Sequence, residues 1–272
     1  MKAEKRVSNL NVLTICTFAV FTSACFAGDW PHWRGPNYNG ISDESGWNTD
    51  WPADGPKVLW KNSIGIGFSN VAVSSGKVFA MGNTNNEDSV YCFNAETGKQ
   101  LWKRTYSQAL DPKWYEGGTL ASPTVDGNRV YTVSKDGKAF CLDTETGNVI
   151  WNKDLLKELK IERSTWGISG SPVIIDKLVI YNIGSSGLAL NKNDGSVVWQ
   201  NGSGPNGYST AVPFNNKKSI VLSGEQEIFA VETETGKQIW HHPWKTENDV
   251  IAADPIFIDE NKIGRASCRE RV

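Results

Sequence analysis

The sequence predicts an all-β fold, a β-propeller of four-stranded blades, and three observations carry that prediction. Its 272 residues hold 12 tryptophans and 26 glycines against two methionines, a composition of turns and large flat anchors. A glycine stands four residues before a tryptophan in four segments: YCFNAETGKQLWK from Tyr91, FCLDTETGNVIWN from Phe140, LALNKNDGSVVWQ from Leu188 and FAVETETGKQIWH from Phe229. A fifth tryptophan, in PKVLWK, matches the end of the pattern, and Trp60, Trp102, Trp151, Trp199 and Trp240 advance by 42, 49, 48 and 41 residues. Strand-rich periods of about 40–50 residues are those of propeller blades.

In chain order, residues 1–27 read as a secretory signal peptide, because Lys2, Lys5 and Arg6 precede an apolar stretch from Leu10 to Phe21 and small residues close it at Ala27. The apolar run is too short to span a bilayer, so no transmembrane segment is expected. Cys25 follows Ser23 and Ala24, but Thr22 stands where a lipoprotein signal usually has leucine, so a lipid anchor at Cys25 is not expected. Residues 28–57 form an N-terminal extension. The propeller repeats occupy 58–262. The final ten residues, IGRASCRERV, fit nothing in the repeat and resemble a common sequencing adapter translated in one frame. The tail 263–272 is therefore read as an artefact, and the chain as about four blades plus the start of a fifth.

Within each unit, Gly98, Gly147, Gly195 and Gly236 follow Thr or Asp between two short strand runs, where a hairpin needs φ > 0. Upstream lie inner hairpins, VAVSSGKVFAMG from Val71, SPTVDGNRVYTV from Ser122 and SPVIIDKLVIYN from Ser171, rich in β-branched residues. The repeated tryptophan is expected at a blade-to-blade joint with its indole N–H on a carbonyl. Cys92 and Cys141 align with Ala189 and Ala230, each ten residues before its tryptophan. They read as small buried hydrophobes, although an exported chain permits a disulfide.

Residues 28–262 carry 22 basic and 28 acidic side chains with no basic stripe, which disfavours nucleic acid as a partner. His32, His241 and His242 lack the spacing of a zinc site, and neither a nucleophile elbow nor a phosphate loop occurs. Function is expected in the loops that lead into each inner strand, which carry Phe68, Tyr115, Glu116, Trp166, Tyr208 and Asp249. One aromatic ring per loop suits either a lined funnel or simple packing of the axis.

The small-residue strand, Thr-Gly turn and tryptophan resemble the pyrroloquinoline-quinone (PQQ) repeat of quinoprotein dehydrogenases and of the propeller lipoprotein of outer-membrane protein assembly. DWPHWRGPNYNGIS from Asp29, WGISGSPVI from Trp166 and HPWKTENDVIAADPIF from His242 are similar to secreted PQQ-binding-like propeller proteins of bacteria. The resemblance implies seven or eight blades in the whole protein and a periplasmic or secreted location. In the dehydrogenases it also implies a quinone on a tryptophan floor, an adjacent-cysteine disulfide and a calcium ion. This chain has no adjacent cysteine pair and no calcium-loop spacing, so PQQ with calcium is supported only by resemblance. The favoured expectation is a non-catalytic scaffold for a protein or polysaccharide ligand. The alternatives are a PQQ-dependent alcohol or sugar dehydrogenase with most of its cofactor site elsewhere, and an outer-membrane assembly lipoprotein.

Overall fold

The computed structural model describes residues 28–264 apart from Trp47, Trp114, Glu247, Glu260 and Asn261. The signal-peptide and Cys25 expectations, and the adapter-like run beyond Gly264, lie outside the described residues. Four antiparallel meanders follow one another. Blade one comprises β1 (Ala72–Ser74), β2 (Lys77–Thr84), β3 (Glu87–Asn94) and β4 (Gln100–Ser107). Blade two comprises β5 (Thr124–Asp126), β6 (Arg129–Val133), β7 (Lys138–Asp143) and β8 (Val149–Asp154), followed by the one-turn helix α1 (Leu155–Leu159). Blade three comprises β9 (Val173–Ile175), β10 (Leu178–Tyr181), β11 (Leu188–Asn191) and β12 (Val197–Gln200). Blade four comprises β13 (Val212–Phe214), β14 (Ser219–Ser223), β15 (Glu227–Glu232) and β16 (Gln238–Pro243). A hairpin of β17 (Ile256–Asp259) and β18 (Lys262–Gly264) opens a fifth unit. Ile263 pairs with Phe257, so the strand pattern runs two residues past the boundary at 262 that the sequence suggested.

The glycine–tryptophan spacing has a direct physical meaning, because each glycine sits against the tryptophan of the preceding unit. A Cβ on Gly98, Gly147, Gly195 or Gly236 would lie 2.5, 2.7, 2.9 or 2.6 Å from the rings of Trp60, Trp102, Trp151 and Trp199 respectively. All four glycines also hold φ between 67° and 74°. Each indole N–H then donates to a carbonyl of the same neighbouring turn, at Ala95, Thr144, Lys192 and Thr233, over 2.8–2.9 Å.

A β-bulge aims the ring. Leu101, Ile150, Val198 and Ile239 are the unpaired extra residues immediately before the tryptophan, and they leave Trp102, Trp151, Trp199 and Trp240 opposite Cys92, Cys141, Ala189 and Ala230. Only a small side chain fits opposite the ring, which accounts for cysteine and alanine at that position. Both cysteines are free and buried. Burial pushes their thiols up, to about 12 for Cys92 and about 11 for Cys141, so neither is a nucleophile at neutral pH. One buried cluster fills each joint: Trp102 with Phe79 and Val125, Trp151 with Tyr181 and Leu188, and Trp199 with Ile220 and Val231. Trp60 docks in the same way although residues 57–61 form no regular strand.

The N-terminal extension is structural in a way its sequence does not announce. Trp30 exchanges both backbone hydrogen bonds with Val73, and Val125 N–H donates to the Pro31 carbonyl. Tyr38 Oη donates to the Ile174 carbonyl over 3.2 Å. Residues 30–38 therefore touch β1, β5 and β9, the innermost strands of three blades. A Cβ on Gly35 would lie 2.6 Å from the Trp30 ring, and its φ is 72°, so the turn requires glycine. His32 stacks on Tyr38 at 4.0 Å, and burial lowers its pKa, with the Lys217 ammonium adding to that fall and a hydrogen bond to Trp33 opposing it. It reads as a neutral packing residue.

Candidate functional site at the axial mouth

The residue two places before each inner strand is small and polar: Asn70, Ser122, Ser171, Thr210 and Asp254. These residues hand one hydrogen bond from blade to blade. Asn70 N–H donates to Ser122 Oγ (2.9 Å), Ser122 N–H to Ser171 Oγ (3.0 Å), Ser171 N–H to Thr210 Oγ1 (3.1 Å) and Thr210 N–H to Asp254 Oδ1 (2.8 Å). Trp33 Nε1 of the N-terminal segment donates to the other Asp254 oxygen over 2.6 Å. This chain fixes the loops immediately above it.

Those loops carry the aromatic residues. Backbone bonds of Ile66 with Asn83 and of Phe68 N–H with the Thr119 carbonyl clamp the first loop across two blades and project Phe68, which is 55% exposed. In the third loop Arg163 bonds Asp136 (2.5 Å) and Asp111 (2.7 Å) and also caps the Ser164 and Thr165 carbonyls, setting the turn that presents Trp166. In the fourth, Tyr208 N–H bonds the Ile251 carbonyl while Ser169 Oγ donates to the Tyr208 carbonyl. The Tyr208 hydroxyl accepts from Trp166 N–H over 3.4 Å.

Phe68, Tyr115, Trp166 and Tyr208 therefore converge on one open cavity of about 430 Å³, completed by Leu120, Ser169, Val250 and Ala252. Phe68 and Tyr115 meet edge to face at 5.4 Å, and Tyr115 and Trp166 are tilted at 6.2 Å. Burial raises the pKa of both phenols, with Asp111 acting on Tyr115 and Glu225 on Tyr208 in the same direction, so both stay neutral at physiological pH. Glu116 is exposed and does not line the cavity. Asp249 stands at its rim, next to the lining Val250, with φ of 54°. Burial raises the pKa of Glu225, with Asp249 and Glu162 acting in the same direction.

A family profile described as the outer membrane protein assembly factor BamB matches residues 43–158 and 184–263. The chain belongs to the PQQ-like repeat family. Among curated proteins none matches its sequence. Solved structures similar to this PQQ-like repeat protein include a europium-containing methanol dehydrogenase, 14% identical with a TM-score of 0.55 over 77% of this chain and 48% of the other. The quinohemoprotein alcohol dehydrogenase from Comamonas testosteroni is 15% identical with a TM-score of 0.56 over 87% of this chain and 45% of the other. That of Pseudomonas putida HK5 is 15% identical with a TM-score of 0.50 over 75% and 39%. The chain spans less than half the length of each, and likeness at this identity fixes the fold, not the activity.

PQQ is a tricarboxylate, which the resemblance pairs with a calcium ion, and the cavity does not suit that pair. No cationic or acidic side chain lines it among the described residues, and the nearby guanidinium of Arg163 is committed to Asp111 and Asp136. No group of three His, Cys, Asp or Glu among the described residues is placed to hold a metal ion. No described helix is long and apolar enough to cross a membrane.

Proposed function

We propose that this protein is an exported, non-catalytic binding scaffold that receives a protein or polysaccharide ligand at the axial mouth of its blades. The carrying observation is the convergence of four aromatic rings from consecutive loops on a cavity lined by no carboxylate, imidazole, amine, guanidinium or thiol. Such a lining offers apolar area and ring faces, which favour binding, and its two phenols are held neutral with no carboxylate or imidazole beside them in the lining to take a proton. The export signal read in residues 1–27 supports the location outside the cytoplasm. The BamB description of the family profile supports a protein–protein role over a redox one.

The quinoprotein reading makes a contrary prediction in the same protein. Adding PQQ with calcium is expected to give no saturable quenching of tryptophan fluorescence, because the cavity lining holds no cation for the quinone carboxylates. Saturable, calcium-dependent quenching that weakens in Trp166→Ala would overturn the scaffold reading.

A further inference from the structure

We propose that the axial cavity binds a small free cation of the quaternary-ammonium class, its methylated nitrogen held against the faces of Phe68, Tyr115, Trp166 and Tyr208. This goes beyond the scaffold reading by naming a small ligand for the mouth, and rests on that reading's assignment of the mouth as a ligand site. Aromatic faces carry negative potential, and several rings around one apolar recess favour a cation that has no N–H to satisfy. The lining matches that requirement: Leu120, Val250 and Ala252 supply methyl-sized apolar contact, and Ser169 has its hydroxyl committed to the Tyr208 carbonyl.

Charge around the mouth points the same way. The three cations Lys113, Lys135 and Arg163 pair with the two carboxylates of Asp111 and Asp136 at 2.5–3.8 Å. Glu225 lies within electrostatic reach of Tyr208 and of both Asp249 and Glu162, and Glu116 is exposed in the Tyr115 loop. A cation is attracted to this rim, whereas an anion is repelled. The Lys113 ammonium stands 5.9 Å from the Trp166 centroid, so Phe68, Tyr115 and Tyr208 are the rings without a resident cation among the described contacts.

The test compares choline with 3,3-dimethylbutan-1-ol, its uncharged carbon isostere, by calorimetric titration of the full chain. Choline is expected to bind at least about tenfold more tightly, the equivalent of about 1.4 kcal/mol. Phe68→Leu keeps apolar volume at an exposed position but removes a ring face, and is expected to weaken choline several-fold while leaving the alcohol unchanged. Glu225→Gln is expected to weaken choline alone. Equal binding of cation and alcohol would overturn the charge-based proposal and leave the ligand-site reading standing. Binding of neither would overturn the quaternary-ammonium proposal, while the scaffold reading stands or falls on the PQQ titration. Flotation with phosphatidylcholine vesicles in the absence of choline binding would overturn the free-cation assignment in favour of a lipid surface.

Discussion

Replacing Trp151 by alanine is expected to lower the unfolding free energy by roughly 3–5 kcal/mol, the range for emptying a packed aromatic site. The ring is 7% exposed, belongs to the cluster between blades two and three, and spends its N–H on the Lys192 carbonyl. Gly195→Ala attacks the same joint from the other side. Its Cβ would meet the Trp151 ring at 2.9 Å from a backbone with φ of 74°, for a loss of about 1–3 kcal/mol. The double variant is expected to lose less than the sum, because the alanine at 195 no longer meets a ring when Trp151 is gone. Denaturant unfolding of the four proteins measures this directly. Simple additivity would mean that glycine and tryptophan are not parts of one contact.

The second large effect is electrostatic and lies inside blade one. The Asp88 carboxyl is 1% exposed and is pushed up to about 6, chiefly by burial, against the opposing hydrogen bonds from Asn83 and Tyr106 and the attraction of Lys135. The folded protein therefore holds this proton more tightly than the unfolded chain. Its contribution is fully present below the ordinary carboxylate range and is lost as pH rises through about 6. Asp88→Asn keeps an acceptor for Asn83 Nδ2, which now bonds Asp88 Oδ1 at 2.7 Å, without the buried charge. The variant is expected to be more stable at pH 7 by about 1–3 kcal/mol and to lose the pH dependence between about pH 4 and 6. Thermal melts across that range check it, and parallel profiles for the two proteins would contradict the assignment.

The blade architecture was legible because it repeats. Glycine, tryptophan and the small residue opposite it recur at fixed offsets, and a contact made at every joint leaves a periodic trace in the sequence. The aromatic part of the mouth was legible for the same reason, since Phe68, Tyr115, Trp166 and Tyr208 precede successive inner strands and meet in one cavity. Glu116 and Asp249 were singled out with them, yet the first is exposed and the second stands at the rim, because sequence position fixes the loop but not the direction of a side chain within it.

Other features left a fainter signal or none. The chain of backbone N–H groups donating to side-chain oxygens from Asn70 to Asp254 uses serine twice, then threonine and aspartate, so its common position becomes visible only once the inner strands are placed. Arg163, Asp111 and Asp136 come from separate loops and form their network only in the fold. Residues 30–38 engage β1 and β5 through backbone groups, and backbone pairing has no side-chain pattern to betray it.

The most direct test of the axial mouth as the binding site is fluorine NMR of the protein labelled with 5-fluorotryptophan, titrated with choline. Trp166 is expected to shift in a saturable manner, assigned by its absence in Trp166→Phe, while the joint tryptophans Trp102, Trp151 and Trp199 stay in place. A saturable shift at the joint tryptophans with Trp166 unmoved would contradict the account, as would a calcium-dependent shift of Trp166 on adding PQQ.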